Sequence, residues 1–523
     1  MLKAASAFGR GLYNKRVIKN IAICFICFVF LFGVSITFAV DAFPGAEGSG
    51  RFAAGGRGGA VYEVNNLSNS GPGSIVDAVS QPNRTIVFRV SGTIELGSVI
   101  LEPQSNTTIA GQTAPGDGIC LKGRIHIKDF VHDIIIRYIR VRVDEGDAID
   151  IDEGYNIIID HVTASYARDE GISCQEDTNN VTVQWCIISE SLTFESHSYG
   201  SLIRGVSGQE KTYHHNLYAH NNGRNPRPGN YTSIGYDPEG LHFDFRNNVV
   251  YNWSGSYAGY NDDHAGFVSR YNFIGNDFIR GPESSSTYIF RESSPDAYGY
   301  FADNAHNDVV PPGGMTGQWV LVLFNTSYFT PAQITSYKAR SYLVPMEPVT
   351  TTSAAQAKID VLAGAGASFP ARDIIDARIV NDVINKTGHS IATTAEQPEG
   401  GWPPLESLPA PADSDHDGMP DAWELAVCLD PDNPADCNDD RDEDGFTNVE
   451  EYLNWLPTGE PMPKRTDVNC DYIVNFNDFS EFAGHWLDGT LYDERYDFDH
   501  TGEISMDDLL YIAQDWLTSG QEY

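Results

Sequence analysis

The sequence predicts an all-β fold, a β-solenoid built from repeated coils, followed by small α-rich modules with acidic loops. Between about residues 43 and 281, short β-rich runs alternate with turns rich in Gly, Asn, Asp and Ser. The runs that begin at His132, Tyr155 and Asn179 start about 23 residues apart, which is the length of one coil of a repeating solenoid. In such a fold, each strand pairs with the equivalent strands of the neighbouring coils.

A recurring Asn marks the predicted turns between coils. Asn216, Asn248 and Asn272 each precede aromatic or apolar residues, as expected of side chains that stack on one another at the turns. Equivalent positions of successive coils then form columns on the outer surface, with neighbours about 5 Å apart across the sheet.

Four acidic residues fall into such a column. Glu145 and Asp147 precede one strand run, and Asp169 and Glu170 stand one coil later. Clustered carboxylates repel one another unless a hard cation lies between them, and ligation by oxygen alone favours Ca²⁺. Taken singly these would be solvated turn residues, but their alignment predicts a calcium site.

Two coils later comes the most unusual polar stretch, residues 213–228. It contains adjacent histidines, an Asn-rich turn, and Arg224 and Arg227 on either side of Pro226. In a strand entering a coil, one of His214 and His215 points inward and one outward, so we expect structural roles for both, as for His161. Trp185 is predicted to pack, and Tyr213 and Tyr218 are weaker candidates for lining a cleft.

Composition points to an exported protein rather than a nucleic-acid binder. The 523 residues exceed one ordinary core, which predicts several domains. The net charge of -38 argues against nucleic acid as a partner, because phosphate binding needs a surplus of Lys and Arg.

Basic residues precede an apolar run from Ile21 to about Val40, which predicts a signal peptide cleaved after Ala39 or Ala42. An uncleaved anchor is the alternative, since the run approaches membrane-spanning length. Of eight Cys, Cys428 and Cys437 are the predicted disulfide pair.

Two acidic loops follow a Pro-rich linker. Both have the spacing of an EF-hand-type Ca²⁺ loop, with Gly at position 6. As single charge runs these would be solvated surface, but two loops in register favour calcium. The predicted ligands are Asp413, Asp415, Asp417, Asp421 and Glu424 in the first loop, and Asp440, Asp442, Asp444, Asn448 and Glu451 in the second.

A second pair of loops ends the chain. The pair is duplicated at an interval of about thirty residues, and each loop leads into one helix. This arrangement resembles a dockerin module, which implies attachment to a cohesin-type scaffold protein; a purely structural calcium-stabilised tail is the alternative. The predicted ligands are Asp467, Asn469, Asp471 and Asp478, then Asp497, Asp499, Thr501 and Asp508.

Several ordered motifs in residues 43–280 together resemble the pectate lyase family of right-handed parallel β-helices. They are the turn at Glu145–Ile149, Ile159-Asp160-His161, Trp185–Glu190, and the stretch from Tyr213 through Arg224-Asn225-Pro226-Arg227, together with Phe43–Gly48 near the start. The resemblance implies a calcium-dependent enzyme that cleaves α-1,4-linked polygalacturonate, the acidic backbone of pectin, by β-elimination. A base removes the C5 proton, and the C4 glycosidic oxygen leaves.

The resemblance also implies roles for single residues. Arg224 falls on the position of the base, and Arg227 on that of a substrate-binding residue. Glu145, Asp147 and Asp169 fall on calcium ligands, and Glu170 is a possible substitute ligand. A guanidinium is protonated at ordinary pH, so an Arg base implies an alkaline optimum.

Three positions depart from the family pattern. Ser173 replaces an Asp ligand, Tyr199 replaces a substrate-binding Lys, and Gly229 replaces a second substrate-binding Arg. These departures leave open a lyase for a different uronate polymer, or a non-catalytic β-helix that binds polysaccharide as an adhesin. A hydrolase of the polygalacturonase type is a third hypothesis, although its clustered Asp pair with Gly-His-Gly is not found.

The predicted organisation is a secreted monomer, either free or attached to a cell surface, with the lyase chemistry in the solenoid. Residues 354–363 and 371–384 are predicted to form short amphipathic helices. The predicted boundaries are a signal peptide or anchor at 1–42, a lyase domain at 43–330, a cap and linker at 331–412, EF-hand-like loops at 413–460 and a dockerin-like module at 461–523.

Overall fold

The structure is a computed structural model that describes residues 39–193, 197–230, 237–462, 464–469, 473–487, 494–499 and 501–516. The chain divides into two compact units, Met1–Val40 and Asp41–Tyr523, and the second carries all the features that follow. The predicted signal peptide lies almost wholly outside the described residues. Within the described ranges, no helix has the length and apolar character needed to cross a membrane.

The second unit is a parallel β-solenoid, as predicted. Neighbouring strands are parallel throughout its ladders. The strands are β1 Ala60–Val64, β2 Arg84–Phe88, β3 Gly92–Glu95, β4 Thr107–Ala110, β5 Ile119–Lys122, β6 Ile125–Ile127, β7 Val131–Arg137, β8 Ile139–Arg142, β9 Ile149–Asp160, β10 Thr163–Ser165, β11 Ile172–Gln184, β12 Ile187–Ser189, β13 Leu202–Arg204, β14 Glu210–His214, β15 Leu217–Ala219, β16 Arg227–Gly229, β17 Leu241–Arg246, β18 Val249–Tyr251, β19 Gly259–Asn261, β20 Ser269–Ile274, β21 Asp277–Ile279, β22 Phe290–Glu292, β23 Tyr298–Ala302, β24 Ala305–His306 and β25 Val322–Phe324.

These strands form three sheets. The largest has thirteen strands in the main order β1-β2-β4-β7-β9-β11-β14-β17-β20-β23; beside this path, β6 pairs with β9, β13 pairs with β11, and β16 pairs with β13. The second has nine strands, β24-β21-β18-β15-β12-β10-β8-β5-β3, and the third is β19-β22-β25. The ladders therefore continue to Phe324, beyond the point where the sequence pattern fades. The pattern fades because the last strands, β22 to β25, are only two to five residues long.

The register confirms the predicted repeat. His132 pairs with Tyr155, and Tyr155 pairs with Asn179. The β-branched runs of these strands point into a core in which Ile134, Ile157 and other aliphatic side chains are fully buried. The interval between the β-rich runs therefore correctly predicts which residues of neighbouring coils lie above one another.

An amide ladder runs along one corner of the solenoid. The Asn216 Nδ2 donates to Asn248 Oδ1 at 3.0 Å, Asn248 to Asn276 at 3.1 Å, and Asn276 to Asn304 at 2.8 Å. The prediction for Asn272 was wrong. Asn272 lies within β20 and donates to a backbone carbonyl of a covering segment; the Asn at the turn is four residues later.

Four aromatic side chains stack at the same kind of corner. Tyr138, His161, Trp185 and His215 all have left-handed backbone angles, with φ between 50° and 55°. Successive ring centroids are 4.7, 5.9 and 4.4 Å apart. His214 is fully buried beside His215. These contacts agree with the structural roles expected for the histidines and for Trp185.

The helices of the described residues lie in several places, on the solenoid and beyond it. They are α1 Ile75–Val79, α2 Met315–Gln318, α3 Pro331–Ala339, α4 Ala354–Gly364, α5 Ile374–Asn385, α6 Asp421–Ala426, α7 Asn448–Trp455, α8 Phe476–Leu487 and α9 Met506–Asp515, with short 3₁₀ turns at Gly111–Thr113, Trp319–Leu321, Thr394–Glu396, Asp436–Asn438, Leu456–Thr458 and Glu494–Tyr496. The helices α4 and α5 are the two amphipathic helices predicted from sequence, and they pack on the nine-stranded sheet through Val361 and Ile379. The Arg142 guanidinium bonds Asp373 and Asp376 at the start of α5, which anchors that helix.

Residues 413–460 pack directly on the first coils of the solenoid. Met419 and Trp423 share an apolar cluster with Val87 and Ala110, which belong to β2 and β4. The Arg57 Nε pairs with a carboxylate oxygen of Glu450 at 2.8 Å. The later segment has a small core of its own, which includes Val474, Phe482, Phe498 and Ile512.

The predicted disulfide is wrong. Cys437 is a buried free thiol within the cluster that packs on the solenoid. Cys428 is disulfide-bonded, and its partner lies outside the described residues. Proximity in sequence was a poor guide here, because the turn between the two Cys directs Cys437 toward the core.

Candidate active site and tail loops

The predicted site residues lie in one backbone ladder that crosses adjacent coils. The amide of Ala148 donates to the carbonyl of Glu170 at 3.1 Å, and the amide of Gly171 donates to the carbonyl of Tyr199 at 3.1 Å. The amide of Gly200 continues the ladder to the carbonyl of Gly223 at 3.0 Å. Residues far apart in sequence are therefore stacked at the spacing of neighbouring strands.

Three of the four predicted carboxylates come together. Oxygens of Asp147, Asp169 and Glu170 lie within 4.8 Å of one another. The carboxylates of Asp147 and Glu170 are buried, whereas the Asp169 side chain is 43% exposed and faces the open side of the site. The Asp147 Oδ1 accepts a hydrogen bond from the amide of Glu170 at 3.0 Å. Burial and the negative charge of Asp169 raise the pKa of Asp147 to about 7.

This donor set fits a hard cation. It consists of carboxylate oxygens, and the buried Asp169 Oδ1 accepts no hydrogen bond from the described residues, whereas Glu170 Oε1 is paired with Arg224. Oxygens that are buried, clustered and not hydrogen-bonded are suited to ligating Ca²⁺. Glu145, in contrast, is exposed and lines a separate cavity of about 230 Å³ with Lys122 and Asp144. Its assignment as a ligand stays a prediction.

Arg224 lies directly beside the carboxylates. Its Nη1 is in contact with Glu170 Oε1 and lies 3.7 Å from Asp169 Oδ1. The guanidinium carbon lies 3.9 Å from the centroid of the Tyr199 ring. Arg224 has a left-handed backbone angle, φ 54°, which turns the chain at the end of its coil. The side chain is therefore held between two acids and one aromatic face.

Arg227 lies at the start of β16, three residues further along the chain. It pairs in register with Leu202 of β13, and its guanidinium carbon is 5.1 Å from the centroid of the Tyr260 ring. Tyr199, the other predicted substrate-binding residue, lines a cavity of about 320 Å³ with Tyr257 and Tyr260. Tyr199 therefore borders this open region, and Arg227 contacts Tyr260, which also lines it.

Two weaker candidates are excluded from the cleft. Tyr213 and Tyr218 have no exposed surface, and both rings lie in the main core. The Tyr218 hydroxyl is within 3.0 Å of the Ser201 hydroxyl, inside the solenoid.

Comparisons with known proteins give a consistent result. The probable pectate lyase C of Aspergillus flavus is 39% identical over 431 residues, which cover 80% of this chain and 95% of that protein. The probable pectate lyase C of Emericella nidulans is 37% identical over 434 residues, covering 80% and 94%. The chain belongs to the pectate lyase family. No protein-family model matches it.

This pectate lyase is therefore a polysaccharide lyase. That result decides against the non-catalytic adhesin and the polygalacturonase-type hydrolase. Solved pectate lyases show only distant similarity: a Bacillus subtilis mutant enzyme is 16% identical with a TM-score of 0.42, covering 63% of this chain and 98% of that chain. A Bacillus sp. N165 enzyme in complex with trigalacturonate is 16% identical with a TM-score of 0.37, covering 61% and 98%.

The first tail loop of the lyase brings carboxylates together, but not with the predicted membership. Asp413, Asp415 and Asp417 form one group, and Asp417, Glu424 and Asp436 form an adjoining one, each with oxygens within 4.8 Å. Both Glu424 oxygens are buried and accept no hydrogen bond from the described residues. Burial and the neighbouring acids raise the pKa of Asp417 to about 7 and that of Glu424 to about 9.

Asp421 is braced by Ser414, and its assignment as a ligand stays a prediction. Its two carboxylate oxygens accept hydrogen bonds from the amide and the hydroxyl of Ser414, at 2.7 and 2.9 Å. Asp436 joins the cluster instead, from the 3₁₀ turn that follows the helix. Sequence reasoning missed Asp436 because it lies outside the twelve-residue loop, and no sequence pattern pointed to it.

The second loop repeats the first. Asp440, Asp442 and Asp444 form an exposed group, and Glu451 is buried nearby with its pKa raised to about 8 by burial and by Asp442. The Asn448 side chain accepts from the amide of Arg441 at 3.3 Å. In each loop, the side chain at position 9, Asp421 or Asn448, therefore accepts a hydrogen bond from the backbone amide at position 2.

The last two loops are related by the predicted duplication. Asp478 accepts hydrogen bonds from the amides of Asn469 and Asn475, and Asp508 accepts from those of Asp499 and Ser505. Two loop amides, those of Thr501 and Gly502, donate to Asp497 at 3.1 and 2.7 Å. Asp467 is buried, and Asp471 lies outside the described residues.

Proposed function

We propose that the chain is a secreted, calcium-dependent pectate lyase that cleaves α-1,4-linked polygalacturonate by β-elimination. The supporting observation is the placement of Arg224 against Asp147, Asp169 and Glu170 on adjacent coils. A base beside a calcium-type carboxylate cluster is the pair of groups that this reaction requires. The departures at Ser173 and Gly229 leave the base and three carboxylates in place.

Asp147, Asp169 and Glu170 would hold the cation. Ca²⁺, when bound there, would supply a Lewis acid that withdraws electron density from the substrate carboxylate and so makes the adjacent C5 proton more acidic. Exposed Asp169 faces the side from which a polysaccharide can approach. The two buried carboxylates fix the position of the site within the solenoid wall.

Arg224 accepts the C5 proton at a guanidinium nitrogen in its neutral form. The electrons of the C5–H bond form the C4–C5 double bond, and the C4–O bond breaks, so that the glycosidic oxygen leaves with the next sugar. The Tyr199 ring supports the guanidinium from one face. Because the neutral form is rare below strongly alkaline pH, the rate is expected to rise with pH. Arg227 binds a carboxylate or glycosidic oxygen of the substrate.

The experiment is an ultraviolet assay for unsaturated product. Polygalacturonate, methyl-esterified pectin and non-pectic uronates are each incubated with the purified enzyme in calcium and in EDTA. We expect absorbance from the 4,5-unsaturated product on polygalacturonate in calcium alone. Product from another uronate, with none from polygalacturonate, supports a lyase for a different polymer. Equal activity in EDTA contradicts the metal-dependent reaction.

The tail is proposed to bind Ca²⁺ and to attach the enzyme to a scaffold. In the first loop the proposed ligands are Asp413, Asp415, Asp417, Glu424 and Asp436, with Asp421 as a brace. The duplicated pair near the C terminus supports a dockerin-like module that binds a cohesin-type partner. Pull-down of full-length monomer by a cohesin domain in calcium tests this attachment, and binding that persists after removal of residues 461–523 contradicts it.

A further inference from the structure

The cavity beside Arg224 has a wall that the sequence did not predict. The volume of about 320 Å³ is lined by Tyr199, Tyr257, Tyr260, Asp262 and Arg291, with small residues between them. It is open and lies on the opposite side of Tyr199 from the carboxylate cluster along the ladder of coils. A polymer that occupies the site of elimination would extend along this direction.

Backbone contacts connect the wall to the catalytic turn. The amide of Tyr260 donates to the carbonyl of Pro226 at 3.1 Å, between Arg224 and Arg227 in sequence. Tyr260 of β19 pairs in register with Arg291 of β22, which belongs to the next coil. Arg224, Tyr260 and Arg291 therefore lie on successive coils, and neighbouring strands are about 4.8 Å apart.

Arg291 is held in a fixed orientation at the end of this row. Its guanidinium carbon lies 4.6 Å from the Tyr257 centroid and 5.3 Å from the Tyr260 centroid, while Arg227 lies 5.1 Å from the Tyr260 centroid. Its Nη2 donates to Asp262 Oδ1 at 2.5 Å. A guanidinium has five N–H donors, and the Arg291 side chain is 22% exposed. A ligand can therefore reach a cation that is already oriented by two rings and one acid.

We propose that this cavity binds a further uronate residue of the polysaccharide, with Arg291 as the cation for its carboxylate. Tyr257 and Tyr260 supply aromatic surface for the sugar ring. Arg291 thereby takes over the role of the Arg that the family pattern places at Gly229. The inference rests on the proposed lyase function and adds a subsite to it.

The two ends of the cleft bind carboxylates in different ways. At the end with Asp147 and Glu170, an anionic substrate needs a cation between it and the protein, since like charges repel. At the end with Arg291, a planar guanidinium can bind a carboxylate directly through paired hydrogen bonds. A polyuronate has one carboxylate on each sugar, so both ends have a ligand of the required charge.

The test measures kinetics on oligogalacturonates of increasing length. We expect Arg291→Ala to raise KM about tenfold or more, with little change in kcat, only for oligomers long enough to reach the cavity. Arg280→Ala removes an exposed Arg that does not line the cavity and is the matched control. An equal effect of Arg291→Ala on the shortest cleaved oligomer and on the polymer overturns the subsite.

Asp262→Asn tests whether Arg291 binds the substrate carboxylate or serves only in its ion pair with Asp262. If Arg291 serves only to hold Asp262, both substitutions weaken the enzyme alike. If Arg291 binds the substrate carboxylate, Asp262→Asn removes a competing acid, and KM for long oligomers stays equal or falls. A rise in KM that matches that of Arg291→Ala contradicts the proposal.

Measuring oligosaccharide binding in a variant that cannot turn over distinguishes a failure of the proposed subsite from a failure of the proposed lyase function. In the Arg224→Ala background, calorimetry with a long oligogalacturonate is expected to show weaker binding after Arg291→Ala. Absence of unsaturated product from the wild-type enzyme would contradict the lyase function itself. Unchanged affinity in this background, with normal lyase activity of the wild type, would contradict only the subsite.

Discussion

The Arg224 guanidinium lies over the ring of Tyr199, with 3.9 Å between its central carbon and the ring centroid. Tyr199 stands where the family pattern has a Lys, so an aromatic face replaces a second positive charge beside the proposed base. Loss of that charge weakens direct attraction for an anionic substrate. The ring instead restricts the orientation of Arg224, which a flexible Lys would not do.

Arg224→Ala is expected to lower kcat by at least about a hundredfold, because it removes the base. The ultraviolet assay measures the loss, and calorimetry shows whether the melting temperature is unchanged. Arg280→Ala is the control for removal of an exposed Arg elsewhere. Activity within a few fold of wild type would refute the assignment of the base.

Tyr199→Phe and Tyr199→Ala separate the ring from its hydroxyl. We expect Tyr199→Phe to keep most of the activity, since the aromatic face that contacts Arg224 is retained. Tyr199→Ala removes a contact of roughly 0.5–2 kcal/mol, which corresponds to about a 2- to 30-fold fall in kcat/KM. Similar losses in both variants would show that the hydroxyl, rather than the ring, matters.

Asp436→Asn and Asp421→Asn are expected to differ in their effect on the calcium affinity of the first tail loop. Asp436 has an oxygen in the carboxylate cluster, whereas both Asp421 oxygens are bonded to Ser414. Calcium titration of the full chain should show one site weakened about tenfold or more by Asp436→Asn. Asp421→Asn should leave that affinity within a few fold. The reverse order of effects would restore the ordinary loop pattern and remove Asp436 from the ligands.

Stability in EDTA should depend on pH through the same loop. The pKa values of Asp417 and Glu424, about 7 and about 9, lie above those of unfolded carboxyls, near 4. Their contribution to the free energy of unfolding is therefore fully present below about pH 4 and is lost as pH rises through 7 and 9.

Calorimetry across this range should show a falling melting temperature in EDTA and little fall in calcium, because bound Ca²⁺ favours the ionised carboxylates. Glu424→Gln should flatten the upper part of the EDTA curve. A melting temperature in EDTA that rises between pH 5 and pH 9 would contradict the linkage.

The regular coils are what made the first half of the site predictable. Asp147 and Glu170 were expected to meet because the coils around them have nearly equal length, so sequence spacing translates into register. Tyr260 and Arg291 were missed because their strands, β19 and β22, have only three residues each and follow one another at a longer interval than the coils near residue 150. Three residues are too few to show alternation, and no repeat aligned them with Arg224.

Other predictions failed where tertiary contacts overrode a local pattern. The motif of Asn before apolar residues occurs at Asn272, but the Asn that faces the neighbouring turns is Asn276, which precedes Asp277. Cys437 was predicted to pair with Cys428, yet it is a buried free thiol in the cluster that packs on the solenoid. Such choices depend on which neighbour lies closest in space, and spacing along the chain does not contain that information.

The packing of Met419 and Trp423 on Val87 and Ala110 bears on how the enzyme can be shortened. All four side chains are at most 2% exposed, so an enzyme trimmed at residue 412 would present a bare apolar strip on β2 and β4. Such a strip is a site for aggregation. Recombinant forms that discard the attachment module should therefore keep everything up to about residue 460.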